Sequence, residues 1–264
     1  MKERSIRWLM IVSSVFGLLW IGGLGLTLGY YFSDAAEAPP AIAVTAKAEP
    51  PKQTEAEEAS FRLLALGDSL TRGTGDPEGK GYVGYVSDQL KTKSKQPVVA
   101  DNYGINGQTS AQLAAQLQQI EMKSQVQAAS AILVSIGGND LFRGGETLDN
   151  LDPKNIQGIR DEYLRQLDTI FQQLRKDNAE ATIFLIGLYN PFIALKDSEA
   201  TSKIVRDWNY EAAEVAGRYP QTVVVPTFDL FQLKVQDYLA RDLFHPNAAG
   251  YRLIGDRVAS LIAW

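Results

Sequence analysis

Cysteine is absent from the 264-residue chain, which excludes disulfides, a thiolate nucleophile, a lipidated cysteine of the lipoprotein type and any cysteine-based zinc site. Histidine occurs once, at His245. A multi-histidine metal centre is therefore impossible, and one side chain alone has the unperturbed pKa suited to shuttling protons near neutrality. An excess of positive charge is also missing: acidic residues outnumber basic ones 31 to 26. Residues 1–32 hold three of the basic and one of the acidic groups, so the remainder carries a net charge of −7, which argues against nucleic acid as a partner. No Gly-x-Ser-x-Gly occurs, so the nucleophile elbow of an α/β-hydrolase is unsupported. The glycine-rich stretch Gly73 to Lys80 fails as a P-loop, which needs glycine at Thr74 and Ser or Thr at Gly81. It fails as a dinucleotide fingerprint as well, because Glu78 occupies the third glycine position. The sequence implies no cofactor, and internal repeats are lacking.

What is present falls into four segments. Residues 1–7 carry Lys2, Arg4 and Arg7, and are followed from Trp8 to Phe32 by 25 residues without a charge, long enough to cross a bilayer as one helix. The positive flank keeps residues 1–7 in the cytoplasm by the positive-inside rule, so the rest is expected on the outer face of the membrane. The competing reading is a signal peptide cut near Ala36-Glu37-Ala38, which would release a secreted protein. An uncleaved anchor is preferred, because the apolar stretch exceeds a signal-peptide core and Pro39 follows the candidate site. Residues 33–60 contain Pro39-Pro40 and Pro50-Pro51, are rich in Ala and Glu, and have no aromatic residue. Such a composition cannot bury enough apolar surface to order itself and reads as a disordered tether. Residues 61–264 are long enough for one globular domain with a substantial core.

In that domain short apolar runs alternate with amphipathic stretches. Phe61 to Leu66, Val98 to Ala100, Ala131 to Ile136, Thr182 to Ile186 and Thr222 to Val225 are nearly continuous apolar segments, as expected of strands buried on both faces. Between them, Ile156, Ile159, Tyr163, Leu167, Ile170 and Leu174 recur at helical spacing, and Tyr251, Ile254, Val258 and Leu261 do so at the chain end. Five strands alternating with helices predict a parallel sheet between two helical layers, a three-layer α/β/α sandwich of flavodoxin-like type. Ligands of such sheets bind beyond the carboxyl ends of the strands.

Four polar clusters follow those ends. After the first run comes Gly67-Asp68-Ser69-Leu70, a serine at a strand-to-helix turn, where free N–H groups favour negative charge. In isolation this is also an ordinary turn with a helix cap, and shaping that turn is the expected work of Asp68. After the second comes Asn102-Tyr103-Gly104-Ile105-Asn106-Gly107, two glycines that allow close backbone approach to a ligand. The third run is followed by Gly137-Gly138-Asn139-Asp140, in which Asn139 offers an amide donor. The last cluster is Asp242-Leu243-Phe244-His245-Pro246-Asn247. A carboxylate three residues before an imidazole can accept its Nδ1 proton, leaving Nε2 free to take a proton from serine. Phe142, Tyr189, Phe192 and Phe244 also follow strand ends, where aromatics line acyl pockets or simply fill the core.

Taken together and in this order, the four clusters resemble the blocks of the SGNH (GDSL-type) hydrolases, over about residues 61–260. The resemblance implies a serine esterase or lipase, lysophospholipase-type activity included, with Ser69 as nucleophile, His245 as base and Asp242 as the acid that orients it. It also implies an oxyanion hole built from the Ser69 N–H, Gly107 and Asn139, with no metal. Gly107 is preferred to Gly104 because Asn102 and Thr109 then fall where the family's second block has Asn and Thr. The substrate expected is a small-molecule, lipid or glycan acyl ester. O-acetyl glycan deacetylation and thioester cleavage are the alternatives among enzymes, and a non-catalytic flavodoxin-like module binding envelope glycan or lipid is the alternative outside them. No sequence feature assigns an oligomeric state. Mass spectrometry of the membrane-fraction protein should find the N-terminus upstream of residue 36; a mature chain beginning at Pro39 would replace the anchor with a cleaved signal.

Overall fold

The computed structural model describes residues 60–262 except Lys196, together with seven positions before residue 24. Those seven, Trp8, Ser13, Phe16, Gly17, Trp20, Gly22 and Gly23, are helical and exposed. The rest of the expected anchor, and the tether up to residue 59, lie outside the described residues. Among the described residues no helix is long and apolar enough to cross a membrane. The chain divides into two units, Met1–Lys52 and Gln53–Trp264, and the fold below is that of the second.

Five strands form one parallel sheet: β1 (Phe61–Gly67), β2 (Val98–Gly104), β3 (Ala131–Ser135), β4 (Thr182–Ile186) and β5 (Thr222–Val225), in the order β2-β1-β3-β4-β5. Helices α1 (Ser69–Arg72) and α2 (Gly81–Lys93) follow β1, and α3 (Ser110–Gln116) and α4 (Ile120–Ala128) follow β2. After β3 come α5 (Gly138–Phe142), a short turn of 3₁₀ helix (Arg143–Gly145), α6 (Glu146–Asp149) and α7 (Pro153–Asp177). Helix α8 (Ser198–Ala216) joins β4 to β5, and α9 (Phe228–Phe231), α10 (Val235–Tyr238) and α11 (Ala248–Leu261) complete the chain.

Strand periodicity builds the two cores. Leu64 and Leu66 of β1, with Ile132 and Val134 of β3 and Ile183 and Leu185 of β4, pack against α3, α4, α7 and α8. Their neighbours Leu63, Ala65, Leu133 and Phe184 point the other way and meet α2 and α11. Both faces of the central strands are thereby covered, the three-layer sandwich that the alternating runs predict. Helix α7 starts where Asp152 accepts from the Lys154 N–H at 2.9 Å, with proline at the first helical position. All six of its periodic apolar residues are buried, each contributing about 1.5–3 kcal/mol where the side chain is fully covered.

Two expectations need correction. The second and fifth runs are not buried on both faces: β2 and β5 are the edge strands, Val99 is 38% exposed, Thr222, Val223 and Val224 are half-buried, and pairing of β2 continues through Asp101 and Asn102 to Gly104. An edge strand has a neighbour on one side only, so polar residues cost it little, and Asp101 pairs with Arg62 of β1 at 3.1 Å. At the chain end Leu261 is 39% exposed, and Ile262, just past the helix, is buried in its place.

The strand order reverses direction between β1 and β3, and their carboxyl ends meet very closely. Gly67 has φ +136, and a Cβ there would lie 1.9 Å from the Ser135 carbonyl oxygen, which accepts the Asp68 N–H at 3.0 Å. Only glycine fits. Gly67→Ala should therefore destabilise the fold by roughly 3 kcal/mol or more, read as a fall in Tm or loss of soluble protein; a variant melting within 2 °C or so of the parent would mean that the strands can part.

Candidate active site

Asp68 caps α1 by accepting the Leu70 N–H at 3.0 Å, which fixes the turn presenting Ser69. The same carboxylate oxygen accepts the Ser135 hydroxyl at 3.0 Å; Ser135 lies 2.7 Å from Thr71 Oγ1, which is 2.8 Å from the Tyr82 hydroxyl. Asp68, Ser135, Thr71 and Tyr82 are all buried, so the turn stands on a polar chain shut away from solvent. Tyr251 of α11 adds a support by donating its hydroxyl to the Thr74 carbonyl at 2.7 Å.

The single imidazole comes to this turn from the loop before α11. His245 Nε2 lies 2.8 Å from Ser69 Oγ across 176 residues of sequence, and Nδ1 lies 2.6 Å from Asp242 Oδ2. The other Asp242 oxygen accepts the backbone N–H groups of Phe244 and His245, both at 3.0 Å. Burial pushes the Asp242 carboxyl up, but the bonds from the imidazole and the two N–H groups outweigh it and hold it below the ordinary value. The loop is tied down at several points: Tyr189 donates its hydroxyl to the Phe244 carbonyl at 2.6 Å, Ala240 N–H to the His245 carbonyl at 2.8 Å, and Asn247 caps α11 through the Gly250 N–H. Asp68, in contrast, makes no hydrogen bond to His245 among the described residues and serves the turn.

The other two strand ends supply donors. Gly107 is the third residue of a tight turn closed by Gln108 N–H to the Ile105 carbonyl, with φ +75 and open space where a Cβ would be. Gly104 differs: a Cβ on it would lie 2.4 Å from Arg72 N, so this glycine lets β2 pack on α1. Asn139 donates Nδ2 to the carbonyl of Gln108, beside Gly107, at 2.9 Å, which joins the two donor loops and leaves its second amide hydrogen unspent. Among the described residues no hydrogen bond engages the backbone N–H of Ser69 or of Gly107.

Asp140 has no assigned part in the sequence reading, yet it fixes these loops. Its carboxylate accepts the Ser110 N–H at 3.0 Å and the Ser110 hydroxyl at 2.5 Å, holding the start of α3 to α5. Burial raises the Asp140 carboxyl above its usual range, and the Ser110 bonds oppose the shift. The pairing spans 30 residues, and the only sequence signal was the place of Asp140 beside Asn139. Of the four aromatics after strand ends, Phe142, Phe192 and Phe244 line a cavity of about 520 Å³ next to this site. Tyr189 is absent from that lining; it stacks on Phe231 with 4.3 Å between ring centroids and borders the smaller space beside Ser69. Among the described residues no group of three His, Asp or Glu side chains is arranged to hold a metal ion.

Comparison with known proteins gives this arrangement its class, which is that of the carboxylic ester hydrolases. The profile of the GDSL-like Lipase/Acylhydrolase family matches residues 65–253, and the chain belongs to that family. It is 33% identical over 205 residues to "Uncharacterized protein YpmR" of Bacillus subtilis, covering 76% of this chain and 80% of that one. Similarity to the spore germination lipase LipC of Bacillus licheniformis is 24% over 208 residues, covering 75% and 95%. Among solved structures, the lipase Lip_vut3 from a goat rumen metagenome superposes with a TM-score of 0.69 at 22% identity, over 76% of this chain and 96% of that one. The likeness is one of fold.

Asp68 gives the site a test in stability. Burial, opposed by the Leu70 and Ser135 hydrogen bonds and by His245, pushes its carboxyl up from 3.8 to about 6. Between those values the native protein binds the proton that the unfolded chain releases, so the stability contribution of Asp68 falls as pH rises from about 4 to about 6 and stays low above. Asp68→Asn keeps an acceptor for Leu70 and Ser135 but has no charge to bury. Its Tm relative to the parent should increase from about pH 4 to about pH 6 and level off above, by about 2–4 °C for each kcal/mol of relief; a pH-independent difference would show that the carboxyl titrates normally.

Proposed function

We propose that Ser69 is the nucleophile, His245 the base and Asp242 its orienting acid, in an enzyme that hydrolyses carboxylic esters through an acyl-enzyme. The observation that carries the reading is the pair of short contacts on one imidazole, to Ser69 Oγ at 2.8 Å and to Asp242 Oδ2 at 2.6 Å. Nε2 takes the Oγ proton as Oγ bonds to the ester carbonyl carbon, and the carbonyl oxygen becomes an oxyanion. The N–H groups of Ser69 and Gly107 and the unspent Asn139 amide hydrogen receive it. As the tetrahedral centre collapses, the bond to the alkoxy oxygen breaks and the imidazolium returns its proton to the departing alcohol. Water, deprotonated by the same Nε2, then cleaves the acyl-enzyme and regenerates Ser69. Asp242, kept ionised by its three hydrogen bonds, stabilises the imidazolium at both stages.

We infer that the reaction takes place on the outer face of the cell membrane. The charge-free run from Trp8 to Phe32, its basic flank and the Ala/Glu/Pro-rich tether support that location. The lipase named among the relatives supports lipid or other acyl esters as substrates.

With p-nitrophenyl acetate and butyrate, Ser69→Ala should lose at least about 10³-fold in kcat while keeping the parental Tm, and Asp242→Asn should lose roughly 10³- to 10⁴-fold. Asn139→Ala removes one oxyanion donor of three and should cost about 10²- to 10³-fold. Equal rates for Ser69→Ala and the parent would refute the assignment.

A further inference from the structure

Beside Ser69 the free space is small, about 40 Å³, room for little more than a methyl group or one water. It is walled by Phe142, Pro191 and Phe244, and these same residues line the far larger cavity of about 520 Å³, which is in the range of small-molecule sites. The three phenylalanines make a continuous wall there. Phe142 meets Phe192 edge-on at 4.9 Å between centroids and Phe244 at 5.9 Å, while Tyr189 pins the Phe244 backbone. Leu148 and Leu239 extend the apolar lining, and among the described residues polar side chains enter it only at Asn139, Asp242 and Gln236.

We propose that this cavity receives the acyl chain of the scissile ester, and that the enzyme acts on chains longer than butyryl in preference to acetyl groups. The inference rests on the catalytic reading of Ser69 and His245. Position argues for the acyl side. The departing alcohol must lie at Nε2 to receive its proton, and the His245 ring belongs to the small space by Ser69 and not to the large cavity. Asn139 borders the large cavity, so a chain lying there joins the carbonyl on the side of the oxyanion donor. Chemistry argues for hydrocarbon. A sugar ring brings several hydroxyls that need partners once desolvated, whereas the second Asn139 amide hydrogen is taken by the oxyanion and Asp242 is held by His245, which among the described residues leaves the Gln236 side chain. The mouth continues the apolar surface outward through Leu195 and Leu243, 56% and 65% exposed. Leu243 has φ +56, a conformation costly for a bulky residue, so the loop holds an apolar side chain at the rim against local strain.

The test compares kcat/KM for p-nitrophenyl acetate, butyrate and octanoate, all below their aggregation limits, in the full-length parent and in Ala194→Trp. Ala194 lines the cavity but is exposed, so the larger side chain enters the cavity without disturbing the core. Full transfer of one methylene from water is worth about fourfold, and octanoate should exceed acetate by at least tenfold in the parent. In Ala194→Trp the octanoate-to-acetate ratio should fall by at least tenfold. Ethyl octanoate should also be preferred to octyl acetate, which places the same chain on the alcohol. Acetate preferred to octanoate, octyl acetate preferred to ethyl octanoate, or an unchanged ratio in Ala194→Trp would each overturn the proposal. Labelling by a fluorophosphonate probe separates the two levels: a labelled Ser69 with any of those results removes the chain preference alone, whereas no label and no ester hydrolysed removes the catalytic reading with it.

Discussion

Strands β1 and β3 meet at their carboxyl ends with no room for a β carbon, and the site depends on that approach. The Ser135 carbonyl occupies the place of a Gly67 side chain and accepts the next N–H. Asp68 then turns its carboxylate back onto Ser135 Oγ and Leu70 N–H, and Ser69 is left at the start of α1 with its hydroxyl toward His245. A parallel sheet delivers all strand ends to one edge, but this contact sets where on that edge the hydroxyl stands. The remaining parts are brought to it: Gly107 from the end of β2, Asn139 from the end of β3, and the Asp242–His245 loop from beyond β5.

Position is bought with buried charge and strain. Asp68 lies among buried groups with its carboxyl pushed up to about 6, Asp140 is raised above its usual range by burial, and Leu243 is held at a left-handed φ. Each would be relieved by a blander residue. Each also fixes a loop that carries a donor or a proton acceptor, and strain of this sort is commonly concentrated where geometry must be held. The Asp242 carboxylate is the opposite case, exposed yet kept ionised by three local hydrogen bonds, because its loop curls round it.

The sheet was legible because periodicity is a local signal. All five apolar runs are strands, and the six periodic residues of α7 are all buried. Sequence analysis erred where neighbours decide: nothing in Val98-Val99-Ala100 says that this strand has one partner instead of two, and Leu261 fits the helical pattern although the helix ends beneath it. The residues singled out for the site all lie at the predicted edge, since each directly follows a strand end or, for Asp242 and His245, the loop before the last helix. Contacts between distant segments were not legible. The tie from Asp140 to Ser110, the bond from Asn139 to the Gln108 carbonyl and the stacking of Tyr189 on Phe231 come from tertiary packing, and no spacing in one chain encodes them. The glycine pair shows the boundary well: the sequence preferred Gly107 only through the family places of Asn102 and Thr109, and packing gives Gly104 to the α1 contact while Gly107 faces open space.

Because no other imidazole exists in the chain, the aromatic C–H region of a carbon-edited proton NMR spectrum holds one histidine Cε1 correlation, assignable without mutagenesis or backbone tracing. With Nδ1 2.6 Å from a carboxylate and Nε2 2.8 Å from the serine hydroxyl, that lone resonance is a built-in magnetic probe of tautomer and charge at the point where the proton changes hands.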